Sequence, residues 1–426
     1  MNATNIRRSI LIIADDLSGA ADCAIAFAGA GRRTVVTLDA SSAGNAASDA
    51  HPIDVIAADT DTRRFAPPAA ARRTAEALNT LNAPGRRVYK KIDSTLRGNW
   101  AAEVAALQPH AGLAIVAPAF PATGRTTHRA RVLVHGEPLE STDTWKLENA
   151  DRPANVQAML EDAGLRCDSI DVETLRGDAE ILRQRIRATT KDRIDALIVD
   201  AHTGDDLKRL AEITSQLDHE LFWVGSGGLA RELATLPGLF SSAPGEAPVH
   251  EKQDGSILVL VGSLSAVSER QCAMLRERAG IAEMIVPPAV LRAGDRHADW
   301  REWQSKIGDF LVKHIDLLVR IGRDDAFDPA EGAHLSNALA ALVAPHFGHV
   351  GGLIATGGET ARAMLSAAGI GSLDLLAEVE AGVAVARPSA PLPSRPAIVT
   401  KAGAFGSEHA LFGAWEHLQR LPLNTH

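Results

Sequence analysis

The chain has 426 residues, 46% hydrophobic and 23% charged, with a formal net charge of −9. That length predicts two domains with a core each, and the acidic balance excludes a broad nucleic-acid surface. Cys23, Cys167 and Cys272 have neither metal-ligand nor redox spacing, and no uncharged apolar run of about 18 residues marks a membrane span.

In chain order, residues 9–14 predict a buried strand. The preceding Arg7 and Arg8 hint at an export signal, but Asp15 and Asp16 interrupt the apolar run too early, so a cytoplasmic setting is expected. Residues 19–31 predict an Ala-rich helix. Residues 35–38, 53–57, 88–92 and 113–117 predict strands, with helices over 69–81 and 99–107. Residues 120–139 read as a hairpin-like excursion. Strands over 196–199 and 221–224 flank a helix over 205–216. The stretch 237–255 is rich in Pro, Gly and Ser and reads as a linker. Beyond it, strands over 257–261, 317–321, 353–355 and 397–400 alternate with helices over 266–279, 330–343, 359–367 and 407–418. This alternation predicts an α/β protein of two domains, each with a mostly parallel sheet flanked by helices. The expected boundaries are 1–240 and 256–426, joined by 241–255.

Ligands of open α/β sheets bind at the carboxyl ends of strands. Charge collects at the early strand ends and glycine at the late ones, which suggests one half-site for a small polar substrate and one for a phosphate donor. Asp15 and Asp16 stand at the first strand end. Two adjacent carboxylates cannot both be buried without partners. They read as groups that hold substrate hydroxyls or orient a base, a metal or a helix start; Asp16 or Ser18 also fits a plain helix cap. In Lys90-Lys91-Ile92-Asp93-Ser94-Thr95-Leu96-Arg97-Gly98, strand alternation puts Lys91 and Asp93 on one face. Arg97 adds a planar cation and Gly98 permits a tight turn. A Lys–Asp pair closing the sheet edge is the bland alternative. Arg63 suits a bidentate carboxylate clamp or a surface charge cluster. Arg125, in the 121–127 loop, is a further candidate.

Gly262-Ser263, Gly357-Gly358-Glu359-Thr360 and Gly403-Ala404-Phe405-Gly406 each stand between a strand and a helix. Glycines let backbone N–H groups approach oxygens closely, and helix N-termini favour anions. Together the turns predict a nucleotide-phosphate cradle. Lys401 either neutralises a phosphate or is an ordinary exposed lysine. No Gly-x-x-x-x-Gly-Lys-Ser/Thr loop is present. Gly225 to Ala230 fits Gly-x-Gly-x-x-Ala, yet the acidic residue expected about 20 positions later is missing, so it reads as a structural turn or a site wall. No histidine has ligand spacing, and metal ligands stay unassigned.

Seven motifs now stand in order over residues 14–406. They are Ala14-Asp15-Asp16-Leu17-Ser18-Gly19-Ala20, Lys91-Ile92-Asp93-Ser94-Thr95-Leu96-Arg97-Gly98-Asn99, Pro118-Ala119-Phe120-Pro121 with Gly124-Arg125-Thr126, Gly225 to Ala230, Gly262-Ser263, Thr356 to Ala361, and Lys401 to Gly406. The set resembles the four-carbon acid sugar kinase family, with Ser18, Gly227, Glu359 and Ala404 standing where the family pattern has Thr, Ala, Asp and Gly. The Lys-Ile-Asp-Ser-Thr segment looks like the threonate and erythronate branch of that family.

The resemblance implies ATP-dependent phosphorylation, with Mg²⁺, of the terminal 4-hydroxyl of a four-carbon sugar acid, D-threonate or D-erythronate. It implies sugar acid on the N-terminal domain, ATP on the C-terminal domain, and an active site in the cleft between them. Carried over residue by residue, substrate contacts are Asp15, Asp16, Arg63, Lys91, Ile92, Asp93, Ser94, Arg97 and Arg125. Nucleotide contacts are Ser263, Gly357, Gly358, Glu359, Thr360, Lys401, Gly403, Ala404 and Gly406. Asp93 or Asp16 would accept the hydroxyl proton. Partners are then small molecules, with no nucleic acid or membrane, and a homo-oligomer is compatible with this. Rival readings are a 3-oxo-tetronate 4-kinase, an NAD(P)-dependent sugar-acid dehydrogenase using Gly225 to Ala230, and a non-catalytic sugar-acid binding protein.

Overall fold

The computed structural model describes residues 8–40, 52–142, 145–146, 153–217, 220–241, 243–245, 251–326, 328, 331–390, 395–403 and 405–423. Parts of the expected linker, and Ala404, lie outside these described residues. Strands in the first half are β1 (Ser9–Ala14), β2 (Thr34–Thr37), β3 (Val55–Asp59), β4 (Arg86–Lys91), β5 (Leu113–Ala117), β6 (Arg125–His128), β7 (Arg131–Val134), β8 (Glu137–Pro138), β9 (Cys167–Ile170), β10 (Ala196–Val199) and β11 (Leu221–Gly225). Those in the second half are β12 (Ser256–Val261), β13 (Ala282–Val286), β14 (Leu317–Ile321), β15 (Val350–Thr356), β16 (Ser372–Glu380), β17 (Val383–Pro388) and β18 (Ala397–Lys401).

Contacts group the chain into two units. The first runs to Gly245 but lacks the β2 segment from Val35 onward, which groups with the second unit. In the first unit the strand order is β3-β1-β4-β11-β5-β10-β9. Every pairing in it is parallel. Of these strands β5, β10 and β11 read as unbroken apolar runs, because helices cover such sheets on both faces. β1 is buried along its whole length. The excursion expected over 120–139 is a small antiparallel sheet, β6-β7-β8.

In the second unit the order is β13-β14-β12-β15-β18-β17-β16-β2. The first five strands are parallel. β18–β17, β17–β16 and β16–β2 are antiparallel. Ile257, Val259, Leu275, Ile354, Val399 and Leu411 form one side of its core. The sequence expectation missed β13, β16, β17 and β9. β16 and β17 end a parallel sheet with a hairpin; partly exposed Asp374, Glu378 and Glu380 break up the apolar pattern of β16, while β17 is a short buried run.

Candidate active site

Strand order assembles the first half-site. β3, β1 and β4 are adjacent, with Ala14 beside Asp59 and Ile13 beside Lys90. Their carboxyl ends therefore bring Asp15 and Asp16, the Arg63 loop and Lys91 to Ser94 together. Asp16 caps the helix Leu17–Gly29, its Oδ1 accepting from Gly19 N at 2.7 Å. Arg63 grips Asp15 in bidentate fashion, Nε to Oδ2 at 2.8 Å and Nη2 to Oδ1 at 2.9 Å. Its Nη1 donates to Asp16 Oδ2 at 2.6 Å, and Asp93 Oδ2 lies 3.9 Å from Nη2. Burial opposes ionisation of Asp15, but Arg63, Lys90 and Lys91 hold its carboxyl below the usual range.

Asp93 is as firmly held. Its Oδ1 accepts from Thr95 N and Thr95 Oγ1, both at 2.7 Å, and its Oδ2 from Arg97 Nε at 2.8 Å. Burial works against its charge, yet Arg97, Arg63 and Lys91 push the carboxyl far below the ordinary value. Lys91 is buried and makes no hydrogen bond or ion pair among the described residues. Its Nζ lies 3.3 Å from where a Cβ on Gly19 would be. Arg125 Nη1 donates to Thr123 Oγ1 at 3.0 Å, while its buried Nε has no partner among the described residues. Burial lowers the Arg125 pKa, and Asp93 and Arg97 are the neighbouring charges it feels next. Ile92 and Ser94 are buried in the same turn. Gly98 is needed here: its φ is +80°, and a Cβ would sit 2.7 Å from Asp15 Oδ2.

Beneath this layer lies a network that the sequence reading did not single out. Lys90 Nζ and Glu103 Oε2 pair at 2.7 Å, both fully buried. Glu103 Oε1 accepts from Thr62 Oγ1, which shares a 2.8 Å hydrogen bond with Thr60 Oγ1. Thr60 Oγ1 donates to Ala14 O at 2.9 Å. The signal was present: Trp100, Glu103, Val104 and Leu107 are the buried stripe of the helix Trp100–Ala111. A glutamate on that stripe requires a buried cation.

The second half-site follows the same logic. β12, β15 and β18 are adjacent, with Val261 beside Thr356 and Thr356 beside Lys401. Gly262-Ser263, Gly357-Gly358 and the turn after Lys401 thus converge. Gly357 has a φ of +99° and precedes the helix Gly358–Ala367, with Glu359 in its first turn. Thr360 Oγ1 shares a 3.1 Å hydrogen bond with Ser336 Oγ. A Cβ on Gly403 would meet Ser263 Oγ at 2.6 Å. Lys401 fits neither sequence expectation. It is 1% exposed, and its Nζ donates to the carbonyls of Ala402, Gly403 and Phe405 at 2.8, 3.0 and 2.9 Å. An ammonium with all three protons on carbonyls cannot also donate to phosphate.

Gly225 needs no cofactor to explain it. A Cβ there would lie 2.7 Å from Tyr89 Oη and 2.9 Å from Ala117 O. Ser226 caps the helix Gly227–Ala234 with its own side chain. Among the described residues no group of three or more His, Cys, Asp or Glu side chains could hold a metal ion. No helix among them is long and apolar enough to cross a membrane.

Comparison with known proteins agrees with this layout. A family model described as a sugar-binding N-terminal domain matches residues 10–233, and one described as a nucleotide-binding C-terminal domain matches 258–411. A D-threonate kinase of Cupriavidus necator is 56% identical over 410 residues, covering 96% of this chain and 97% of its own. A 3-oxo-tetronate kinase of Methylobacterium radiotolerans is 32% identical over 92% of this chain and 95% of its own. A crystal structure of a Haemophilus influenzae protein superposes with a TM-score of 0.71 at 19% identity, over 96% of this chain and 100% of that one, which speaks for the fold.

Proposed function

Because the chain belongs to the four-carbon acid sugar kinase family, we propose that it transfers a phosphoryl group from ATP to the terminal 4-hydroxyl of D-threonate. The observation that carries this reading is the uncommitted Lys91 ammonium set among Asp15, Asp16 and Asp93. A free ammonium beside several hydrogen-bond acceptors suits a small polyol with one carboxylate. The 56% identity to a D-threonate kinase, against 32% to a 3-oxo-tetronate kinase, favours the hydroxy acid over the oxo acid.

In this reading Lys91 holds the substrate carboxylate, since Arg63 is tied to Asp15 and Asp16. Arg125 offers its unpartnered Nε as a second cationic donor. Ser94 and the Asp93 carboxylate hold hydroxyls. Asp93 is too firmly stabilised as an anion to be a good proton acceptor. Asp16 is about one-fifth exposed and forms an ion pair with Arg63 alone among the described residues, so it receives the hydroxyl proton. Mg²⁺, bound with the nucleotide, would supply charge neutralisation at the phosphates. The glycine turns at 262, 357 and 403–406 bind those phosphates through backbone N–H groups. An ATP-using reaction of this kind belongs in the cytoplasm.

The test is ADP release by purified protein with MgATP and a panel of D- and L-threonate, D- and L-erythronate, 3-oxo-tetronates and five-carbon acids. Release with D-threonate, giving a 4-phosphate, is expected. Nucleotide binding with no turnover on any four-carbon acid would overturn the substrate class and leave the nucleotide half-site standing.

A further inference from the structure

Lys401 closes β18, and its side chain turns under the loop that follows. Its three carbonyl acceptors, Ala402, Gly403 and Phe405, all belong to that loop. Other side chains brace the same segment. Ser268 Oγ donates to Gly403 O at 2.7 Å, and Gln271 Nε2 to Phe405 O at 3.1 Å. Glu380 accepts from Ser407 N and Ser407 Oγ, both at 2.7 Å. Gly406 has a φ of +86°, and a Cβ there would lie 2.6 Å from Glu380 Oε1. In a trans peptide the C=O and N–H point opposite ways. Carbonyls of Ala402 and Phe405 aimed at a buried ammonium therefore turn the N–H groups of Gly403 and Gly406 away from it. Among the described residues neither N–H has an acceptor.

We propose that Lys401 is a positioning residue that binds nucleotide phosphates at one remove, holding the loop carbonyls inward so that the Gly403 and Gly406 N–H groups form a preorganised anion nest over a buried positive charge. The inference rests on the ATP-dependent reading above. It differs from a direct lysine–phosphate contact, for which Nζ has no proton left. Burial lowers the Lys401 pKa to about 8, against the opposing charge of Glu380 from β16; the other ionisable group that faces it is Cys272 from the helix Ala266–Ala279. The Cys272 thiol is itself pushed up to about 11, chiefly by burial, so it stays neutral while Lys401 titrates. A polyphosphate seated on the nest favours the protonated ammonium. Nucleotide binding then takes up a proton at and above pH ~8, and affinity falls as pH rises through that window.

The experiment is calorimetric titration of the full chain with MgADP at about pH 8.5, in two buffers of different ionisation enthalpy, with adenosine as the phosphate-free control. Wild type, Lys401→Met and Lys401→Arg are compared. Wild type is expected to take up a proton. Lys401→Met should lose the uptake and bind MgADP about tenfold or more weakly, with adenosine binding unchanged. Lys401→Arg keeps the charge, but its planar fork cannot serve three carbonyls around one point, so it should not recover the affinity. Wild-type affinity in Lys401→Met, full recovery in Lys401→Arg, or wild type without proton uptake each overturns the inference. The wild-type uptake can be read even if a variant does not fold. Wild type that binds no MgADP at all overturns the kinase reading itself.

Discussion

Arg63 and Lys91 are equivalent cations on paper, and their surroundings give them opposite roles. The Arg63 guanidinium spends three of its five N–H donors on Asp15 and Asp16, so it acts as a fixed counter-ion that lets two adjacent carboxylates stay ionised under cover. In the proposed reading Lys91 keeps its charge for the substrate carboxylate. A charge-assisted hydrogen bond contributes about 1.5–3 kcal/mol, so Lys91→Met should raise the sugar-acid KM roughly 10- to 150-fold and leave the MgATP KM alone. Steady-state kinetics in both substrates decides this, and an unmoved sugar-acid KM rejects the assignment. Asp16→Asn is a cleaner test of the proton acceptor than an alanine would be, because asparagine caps a helix as well as aspartate does. Turnover should fall by roughly 10²–10⁴-fold with helix stability kept. Undiminished turnover would remove Asp16 from the chemistry.

Each element that carries a site residue is anchored by a feature of its own. The helix Trp100–Ala111 brings Glu103 to Lys90 in a fully buried pair. Removing one partner strands a buried charge, so Glu103→Ala should cost about 3–5 kcal/mol in denaturant unfolding. The double change Lys90→Met with Glu103→Leu should regain most of that loss. Gly98 supplies the left-handed turn between β4 and this helix. Gly98→Ala would add roughly 1–2 kcal/mol of backbone strain and push a methyl into Asp15, so both stability and turnover should drop. Asp206 secures the helix Gly204–Ser215 through a capping box and a bidentate contact with Arg176, at 2.7 and 2.9 Å. Burial alone would raise its carboxyl pKa, but Arg176, His202 N and Thr203 hold it at about 2, below the ordinary aspartate value. A lowered folded-state pKa means stability present above pH 3.8 and lost as pH falls towards 2. Asp206→Asn should remove about 2 kcal/mol at neutral pH and flatten the acid limb of the stability curve between those values.

Over the whole molecule, function follows from strand order. β3-β1-β4 and β12-β15-β18 are neighbouring triplets drawn from distant parts of the chain, and their carboxyl ends gather residues 15 to 98 into one half-site and 262 to 406 into the other. Ligands that bind only the folded chain stabilise it by mass action, so MgADP or D-threonate at 100 times its Kd should each add about 2.7 kcal/mol. A thermal-shift assay that responds to the nucleotide but to no sugar acid would leave the first half-site without its proposed ligand. Most of the alternating elements, the linker composition and the seven motifs were legible in the residues, because helix and strand periods and glycine turns are local properties of the chain. β9, β13, β16 and β17 were not, since short strands with interspersed polar residues, such as Cys167–Ile170 and Ser372–Glu380, blur the period that marks a strand. Nor was the placement of β2 with the second unit, which a linear division at residues 240 and 256 cannot express. The sequence by itself determined the α/β class, the family and the residue types at each strand end. Only the tertiary structure decided which cation is free, which carboxylate is held as an anion, and that Lys401 faces its own loop. The reason is that charge pairing and burial are set by contacts between residues far apart in the chain, such as Arg63 with Asp15 and Ser268 with Gly403 in the loop over Lys401.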